Sequence, residues 1–483
     1  MSYLALDLGA GSGRAIVGTI NNEKIRLEEI HRFSNRQIKA NNTLYWDIPA
    51  LYNHIKQSIS IAFKKGYNIR GLAIDTWGVD FGFIDKNGNL ISNPVCYRDS
   101  RTQGMSDLVS EIISSQELYS LTGIQQMEIN TLYQLFSLKN NNDPTLQIAG
   151  KLLFIPDLIN YFLTGIISNE YTIASTSQLV NAKSRNWDYP IFQHLGFTDS
   201  WMSPVQYPGT TLGYIKKEIT LELNIPPIKV FNVGSHDTAS AIGAIPFEEN
   251  MAFLSSGTWS LLGIPLYEPI LSGDANKNDF SNEGGIDNKI LFMRNITGLW
   301  LLQQLIAEWE NKRDFPYSYE HLQEECEKAS PFQCIIDSDN PVFNNPPSMK
   351  KAIQDYCKQT GQIIPETKGE LVRCIFESLA LKYFKVMKLL KACSKKEINK
   401  LFVVGGGSRN KILNQFIANA LNMEVITGIT EATALGNIIQ QAVADKELIN
   451  LSEGHQIIKN SFNFVSYQPE NHTMWLKEAA RLP

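Results

Sequence analysis

No apolar stretch in these 483 residues reaches the ~18 consecutive positions that a membrane-spanning helix needs. The opening residues, Met1-Ser2-Tyr3-Leu4-Ala5-Leu6-Asp7, lack a basic leader, and Asp7 interrupts their apolar run. That argues against a signal peptide. Cysteine is scarce, at six residues with no C-x-x-C pair, and the seven histidines show no ligand spacing. Both argue against a structural zinc site. Basic runs and basic stripes interleaved with aromatics are also missing. The net charge is −5, with both signs scattered. Neither nucleic acid nor a membrane is therefore an expected partner. These absences lead to the expectation of a cytoplasmic globular protein.

What is present is ordinary in bulk. Hydrophobic residues make up 43% and charged residues 19%, as in soluble globular chains. At ~150 residues per domain the length predicts two or three domains, large enough to bury cores without metals or disulfides. The cysteines Cys326/Cys334 and Cys357/Cys374 form two pairs along the chain. They read as reduced, buried thiols in a reducing compartment, with a Cys357–Cys374 disulfide as the alternative.

The apolar patterning alternates strands and helices. Tyr3–Leu8 and Ala15–Ile20 read as a hairpin around a glycine-rich turn, and Ile25–Phe33 as a third strand. Asp47 reads as an N-cap, Pro49 lies in the first helical turn and Gly66 is a stop. Gly71–Asp75 is a further strand. The pattern recurs at Met251–Leu254 and Ser260–Ile264. An amphipathic helix follows, with Val372, Phe376, Leu379, Tyr383, Met387 and Leu390 on one stripe. Next come a strand at Lys400–Val404, a helix after Ser408, a strand at Met423–Ile426 and a helix at Glu431–Ala444. Two copies of a βββαβαβα-like unit fit this order, with their turns aimed at one cleft. The boundary falls near residues 243–250, which divides the chain into 1–245 and 246–483. Residues 265–290 and 310–350, rich in Pro, Asn, Asp and Ser, read as insertions or surface loops. The tail after about 447 shows little that is diagnostic.

Three turns carry the chemistry. In Asp7-Leu8-Gly9-Ala10-Gly11-Ser12-Gly13-Arg14 the glycines are expected to adopt the unusual dihedrals such a turn requires and so to admit close approach of backbone N–H groups to a phosphate. Ser12 and Arg14 add charge-assisted bonds. Asp7, at the strand end, either holds Mg²⁺, directly or through water, or caps the turn. The second turn, Ser255-Ser256-Gly257-Thr258-Trp259-Ser260, would grip a terminal phosphate. The third, Gly405-Gly406-Gly407-Ser408, is either a bare surface for adenine or ribose or a tight strand-to-helix loop. Between the first two lies Ser235-His236-Asp237-Thr238. Asp237 reads as a general base for an attacking hydroxyl, or as an N-cap. His236 reads as a donor to a sugar oxygen or as a structural histidine.

These residues resemble those of the FGGY carbohydrate kinases, within the actin/Hsp70/hexokinase ATPase fold. The resemblance runs from Leu4 to about Ala442. It includes Ile74-Asp75-Thr76-Trp77-Gly78-Val79-Asp80-Phe81, Tyr97-Arg98-Asp99-Ser100-Arg101-Thr102, Asn130-Thr131-Leu132-Tyr133-Gln134-Leu135, Asn282-Glu283-Gly284-Gly285 and Asn295-Ile296-Thr297-Gly298-Leu299-Trp300. It implies an α/β fold of two ribonuclease H-like domains with an interdomain cleft. It also implies ATP and Mg²⁺ as cofactors and a small ketose as substrate, in a monomer or homodimer. By position, Asp237 matches the catalytic base. Ala10, Gly11, Ser12, Gly13, Arg14, Thr258, Gln303 and Gly406 match ATP contacts. Gly78, His236, Asp237, Thr238 and Asn295 match sugar contacts. Cys357 and Cys374 fall where some members have a cysteine pair. Two departures stand out: Gly11 replaces a more usual Ser, and Gln126-Met127-Glu128 replaces apolar residues, so Glu128 is expected to alter the sugar pocket.

The expected reaction is phosphorylation of L-rhamnulose at O1, with L-fuculose or L-xylulose as alternative ketoses. A nucleotide-gated chaperone or filament protein on the same fold would not need Asp237 beside a sugar pocket. A catalytically silent sensor would not need both phosphate turns.

Overall fold

A computed structural model describes residues 1–310 and 319–482. The chain divides into two compact units. The first comprises Met1–Pro246, Pro265–Phe292 and Glu431–Phe462, and the second Phe247–Ile264, Met293–Thr430 and Asn463–Pro483. Two segments beyond residue 246 therefore pack into the first unit. Among the described residues, no helix is long and apolar enough to cross a membrane.

The first unit is built on a sheet of six strands: β1 (Ser2–Leu8), β2 (Ser12–Asn21), β3 (Lys24–Ser34), β4 (Ile69–Thr76), β5 (Thr210–Tyr214) and β6 (Lys229–Asn232). Their order is β5-β6-β4-β1-β2-β3. Strands β1, β2 and β3 form an antiparallel meander, β4 lies parallel to β1, β6 lies parallel to β4, and β5 closes the far edge antiparallel. Every residue of β1 is buried, as expected for a strand covered on both faces. The helix Ile48–Lys64 begins as the sequence predicts. The Asp47 side chain accepts from the Ala50 amide at 3.1 Å, and Gly66 follows the helix at φ +81°. Its Ile48, Leu51, Ile55, Ile59 and Ala62 enter the core beneath the sheet. Burying each such Ile or Leu contributes ~1.5–3 kcal/mol.

The second unit repeats the arrangement with β7 (Met251–Ser256), β8 (Trp259–Leu266), β9 (Ile290–Thr297), β10 (Lys400–Val404), β11 (Glu424–Thr427) and β12 (Val465–Tyr467). The order is β9-β8-β7-β10-β11-β12. Again a hairpin (β7/β8) leads, two parallel neighbours follow (β10 on β7, β11 on β10), and an antiparallel edge closes the sheet. The helix Lys368–Ser394 starts in a capping box, Thr367 with Glu370. All six predicted stripe residues, Val372 to Leu390, are buried along it.

The stretches expected to be loops are partly regular. A short helix (Gly273–Lys277) and a strand (Ser281–Gly284) occupy 265–290. In 310–350, a helix spans Tyr319–Lys328, and residues 311–318 lie outside the described residues. The tail holds the helix Leu451–Ser461, which has a glycine, Gly454, as its fourth residue. A Cβ on Gly454 would stand 2.3 Å from the Ile439 side chain. The glycine weakens the helical signal in the sequence because it serves a close crossing.

Candidate functional site

The carboxyl ends of three parallel strands gather three acidic residues. Asp7 near the end of β1 is in register with Asp75 near the end of β4. Five residues past β6, Asp237 begins the helix Asp237–Gly243. Open α/β sheets place ligands outside these strand ends.

The loop carrying Asp237 is pinned from several sides. Thr76 N–H donates to the Ser235 carbonyl at 2.8 Å. The buried Glu170 carboxylate accepts from Ser235 N–H at 3.1 Å and from its hydroxyl at 2.6 Å, and it also caps the helix Tyr171–Ser175. His236 N–H donates to Thr172 Oγ1 at 3.1 Å. Gly234 N–H donates to Gln440 Oε1 at 2.7 Å. Gln440 belongs to the helix Ala432–Ala444, which crosses Asp237–Gly243 so closely that a Cβ on Gly436 would lie 1.8 Å from the Ser240 carbonyl oxygen.

Charge at the site is mostly acidic. Arg14 bonds both Asp7 and Glu431. Burial holds Asp7 above the usual carboxylate range, and Arg14 opposes that shift. Asp75 is pushed well up by burial and then by Asp7. Its Oδ2 accepts from Asn437 at 2.6 Å, while its Oδ1 is buried with no partner. Asp237 rises to about 6, through burial, against hydrogen bonds from Thr238 and the charge of Arg14. Its side chain nonetheless keeps 33% of its surface open, so a substrate hydroxyl can reach it. The His236 ring stands between two carboxylates, Nε2 3.5 Å from Asp237 and Nδ1 3.4 Å from Glu283. Burial lowers its pKa and keeps the imidazole neutral, against the pull of Glu283.

The motif Gly78-Val79-Asp80 is strained. Val79 sits at φ +67°, a region that β-branched residues rarely enter. It is held there by a bond from its own N–H to Thr176 Oγ1 at 3.0 Å and one from Thr131 Oγ1 to its carbonyl at 2.6 Å. The Asp80 carboxylate accepts from Trp46 Nε1 at 2.5 Å, Trp77 Nε1 at 2.9 Å and Gln134 Nε2 at 3.0 Å. A Cβ on Gly78 would stand 3.2 Å from Thr176.

In the first glycine turn, the carbonyls of Gly9, Ala10 and Gly11 accept from Asn35 and Gln37. Neither Gly11 nor Gly13 has a positive φ. This corrects the expectation that unusual dihedrals explain these glycines. Space explains Gly13. A Cβ on Gly13 would strike the Phe33 ring at 2.3 Å, while Gly11 faces open space. Glu128, expected to alter the sugar pocket, accepts from Gly104 N–H at 2.8 Å, ahead of the helix Met105–Ser110.

In the second unit, Thr258 Oγ1 donates to Gln303 Oε1 at 3.0 Å, and Gly298 N–H donates to the Thr258 carbonyl at 3.1 Å. Gly405 has φ +82°, and a Cβ there would lie 2.7 Å from the Ser256 carbonyl oxygen. The third turn thus packs bare backbone on the second, with Gly406 facing open space. Asn295 is half-buried on β9.

Within the first unit the structure therefore gathers Asp7, Arg14, His236, Asp237 and Thr238. Within the second it gathers Thr258, Gln303 and the Gly406 turn. Sequence reasoning assigned no role to Asp75, Glu170, Glu283 or Glu431. Asp75 and Glu283 stood inside quoted motifs, but Glu170 and Glu431 carried no local signal.

Residues 2–243 match the N-terminal domain of the FGGY family of carbohydrate kinases, and residues 252–444 match its C-terminal domain. The chain is 41% identical over 475 residues to a rhamnulokinase of Bacteroides thetaiotaomicron, covering 98% of this chain and 97% of that protein. It is 38% identical over 472 residues to a rhamnulokinase of Bacillus subtilis, covering 98% and 96%. Among solved structures, a ligand-bound xylulose kinase from Lactobacillus acidophilus superposes with a TM-score of 0.82 at 16% identity, covering 99% of this chain and 96% of that one. Glycerol kinase from Plasmodium falciparum with ADP gives 0.78 at 16% identity, covering 99% and 97%. With both domain models matched and such identity along nearly its whole length, the chain belongs to the FGGY family of carbohydrate kinases.

Proposed function

We propose that this protein transfers the γ-phosphoryl group of ATP to O1 of L-rhamnulose, giving L-rhamnulose 1-phosphate and ADP. The observation that carries the reading is Asp237. It is a half-open carboxylate at the strand ends, raised to about 6, in a chain 41% identical to a protein named rhamnulokinase.

Phosphoryl transfer needs alignment and charge neutralisation more than covalent help. Asp237 accepts the O1 proton as O1 bonds to the γ-phosphorus and the bond to the β–γ bridging oxygen breaks. Gly78, His236, Thr238 and Asn295 hold the sugar. His236, kept neutral, hydrogen-bonds rather than repels. The turn from Ala10 to Arg14, Thr258 and Gln303 bind phosphate oxygens, and Gly406 offers bare backbone to the adenosine. Asp7 and Asp75 are the residues that would hold Mg²⁺, and the partnerless buried Oδ1 of Asp75 fits a cation ligand. The ion supplies charge neutralisation on the phosphates.

A coupled ADP-release assay across L-rhamnulose, L-fuculose, L-xylulose, D-xylulose and glycerol tests the assignment. The highest kcat/KM is expected for L-rhamnulose. A higher value for any other member of the panel reassigns the substrate.

A further inference from the structure

Three thiols that the phosphotransfer chemistry does not use meet inside the second unit. Cys334 lies in the irregular segment after the helix Tyr319–Lys328, Cys357 in the helix Met349–Gln359, and Cys374 in the helix Lys368–Ser394. Each is at most 3% exposed. All three are free thiols. Their Sγ atoms all lie within 4.8 Å of one another, and among the described residues no His, Asp, Glu or fourth Cys joins the group. The sequence paired Cys334 with Cys326, but the fold brings it to Cys357 and Cys374 instead.

The three sulfurs are held in place by structure around them. The segment bearing Cys334 is clamped by Gln362, which accepts from Ile335 N–H and donates to its carbonyl, both at 2.8 Å. It is also tied to the long helix. Phe332 N–H donates to Glu377 Oε2 at 2.8 Å, and Ile336 N–H donates to Ser378 Oγ at 2.9 Å. The other two thiols project from helices. Three soft donors are thus arranged before any ion arrives.

We propose that Cys334, Cys357 and Cys374 form a three-coordinate thiolate site for a soft monovalent d¹⁰ cation, Cu(I). A metal–sulfur bond of ~2.3 Å in a trigonal plane sets the sulfurs ~4.0 Å apart. The observed spacing needs a contraction of less than about 1 Å to reach that. Thiolate ligands select soft ions. Structural zinc takes four protein ligands, and no fourth stands with these three among the described residues. Each thiol that coordinates gives its proton to solvent, and no electron is transferred. A bound ion would join three segments, one of which, the helix Lys368–Ser394, reaches the second glycine turn. The helix bearing Cys374 also carries Tyr383, whose hydroxyl shares a hydrogen bond with Ser260 Oγ at 2.7 Å.

The test is an anaerobic titration of the reduced full chain with Cu(I), in competition with the chromophoric chelator bicinchoninate, with stoichiometry read by native mass spectrometry. One Cu(I) per chain should be retained. Cys334→Ser and Cys374→Ser should each weaken retention more than about tenfold, whereas Cys326→Ser and Cys393→Ser should match the wild type. The wild-type titration decides the matter even if a variant misfolds, which far-UV circular dichroism would reveal. Three results would each overturn the proposal: wild-type protein surrendering Cu(I) as readily as the Cys334→Ser/Cys357→Ser/Cys374→Ser triple variant, equimolar Zn²⁺ displacing it, or Cys393→Ser abolishing binding.

Discussion

Asp7 and Asp75 are register partners on adjacent parallel strands, so two carboxylates share one buried spot at the strand ends. Burial pushes both upward in pKa, and for Asp75 the charge of Asp7 comes next. Arg14, bonded to Asp7 and Glu431, is the cation that makes the cluster tolerable.

Replacing Arg14 by Gln should leave Asp7 without its counter-charge and remove a proposed donor to phosphate. We expect KM for ATP to rise by about tenfold or more, with kcat also reduced. Steady-state kinetics with varied ATP checks this.

Asp237→Asn removes the proposed proton acceptor while keeping the shape of the loop. Turnover should fall by ~10²–10⁴-fold, with nucleotide binding intact by calorimetry. A near-normal kcat would take Asp237 out of the role of base.

The base must be ionised to work. With Asp237 at about 6, kcat/KM should rise with pH along an acid limb whose apparent pKa is near 6. A limb near 4, measured between pH 4.5 and 8, would mean that another group controls it.

Stability should respond to the same group with the opposite preference. A carboxyl whose folded pKa is about 6 against an ordinary 3.8 holds its proton more tightly in the folded state. That contribution is full below about pH 4 and is lost as pH rises through 6. Asp237→Asn escapes the loss. The melting temperature of the variant should therefore gain ~1–3 °C on the wild type between pH 4 and pH 7.

Gly436→Ala would place a Cβ 1.8 Å from the Ser240 carbonyl oxygen. The helices Asp237–Gly243 and Ala432–Ala444 would have to separate, at a cost of ~1–3 kcal/mol. A lower melting temperature and a reduced kcat should appear together, because the displaced helix carries Asp237.

Much of the site was legible because its signals are local. The hairpin before Arg14, the cap at Asp47 and the stripe from Val372 to Leu390 each depend on residues within a few positions of one another. Glu170 was not legible. Its value lies in bonding Ser235, 65 residues away, and nothing around it in the chain announces that. Glu431 and Asn437 reach Arg14 and Asp75 across more than 360 positions. The sequence suggests special dihedrals for the glycines of the first turn, yet none has a positive φ, and it is the Phe33 ring, 20 residues on, that leaves no room for a side chain at Gly13.

From its residue order alone, this chain determined its alternating strands and helices, its three glycine turns and the place of Asp237 at the head of a helix. Periodicity, caps and turn chemistry act over a few residues and can be read along a line. Only the tertiary structure decided which carboxylates share a spot, which amides hold Ser235 and which three thiols converge. Those outcomes depend on strand register and helix crossing, and they join residues that are neighbours in space but distant in the chain.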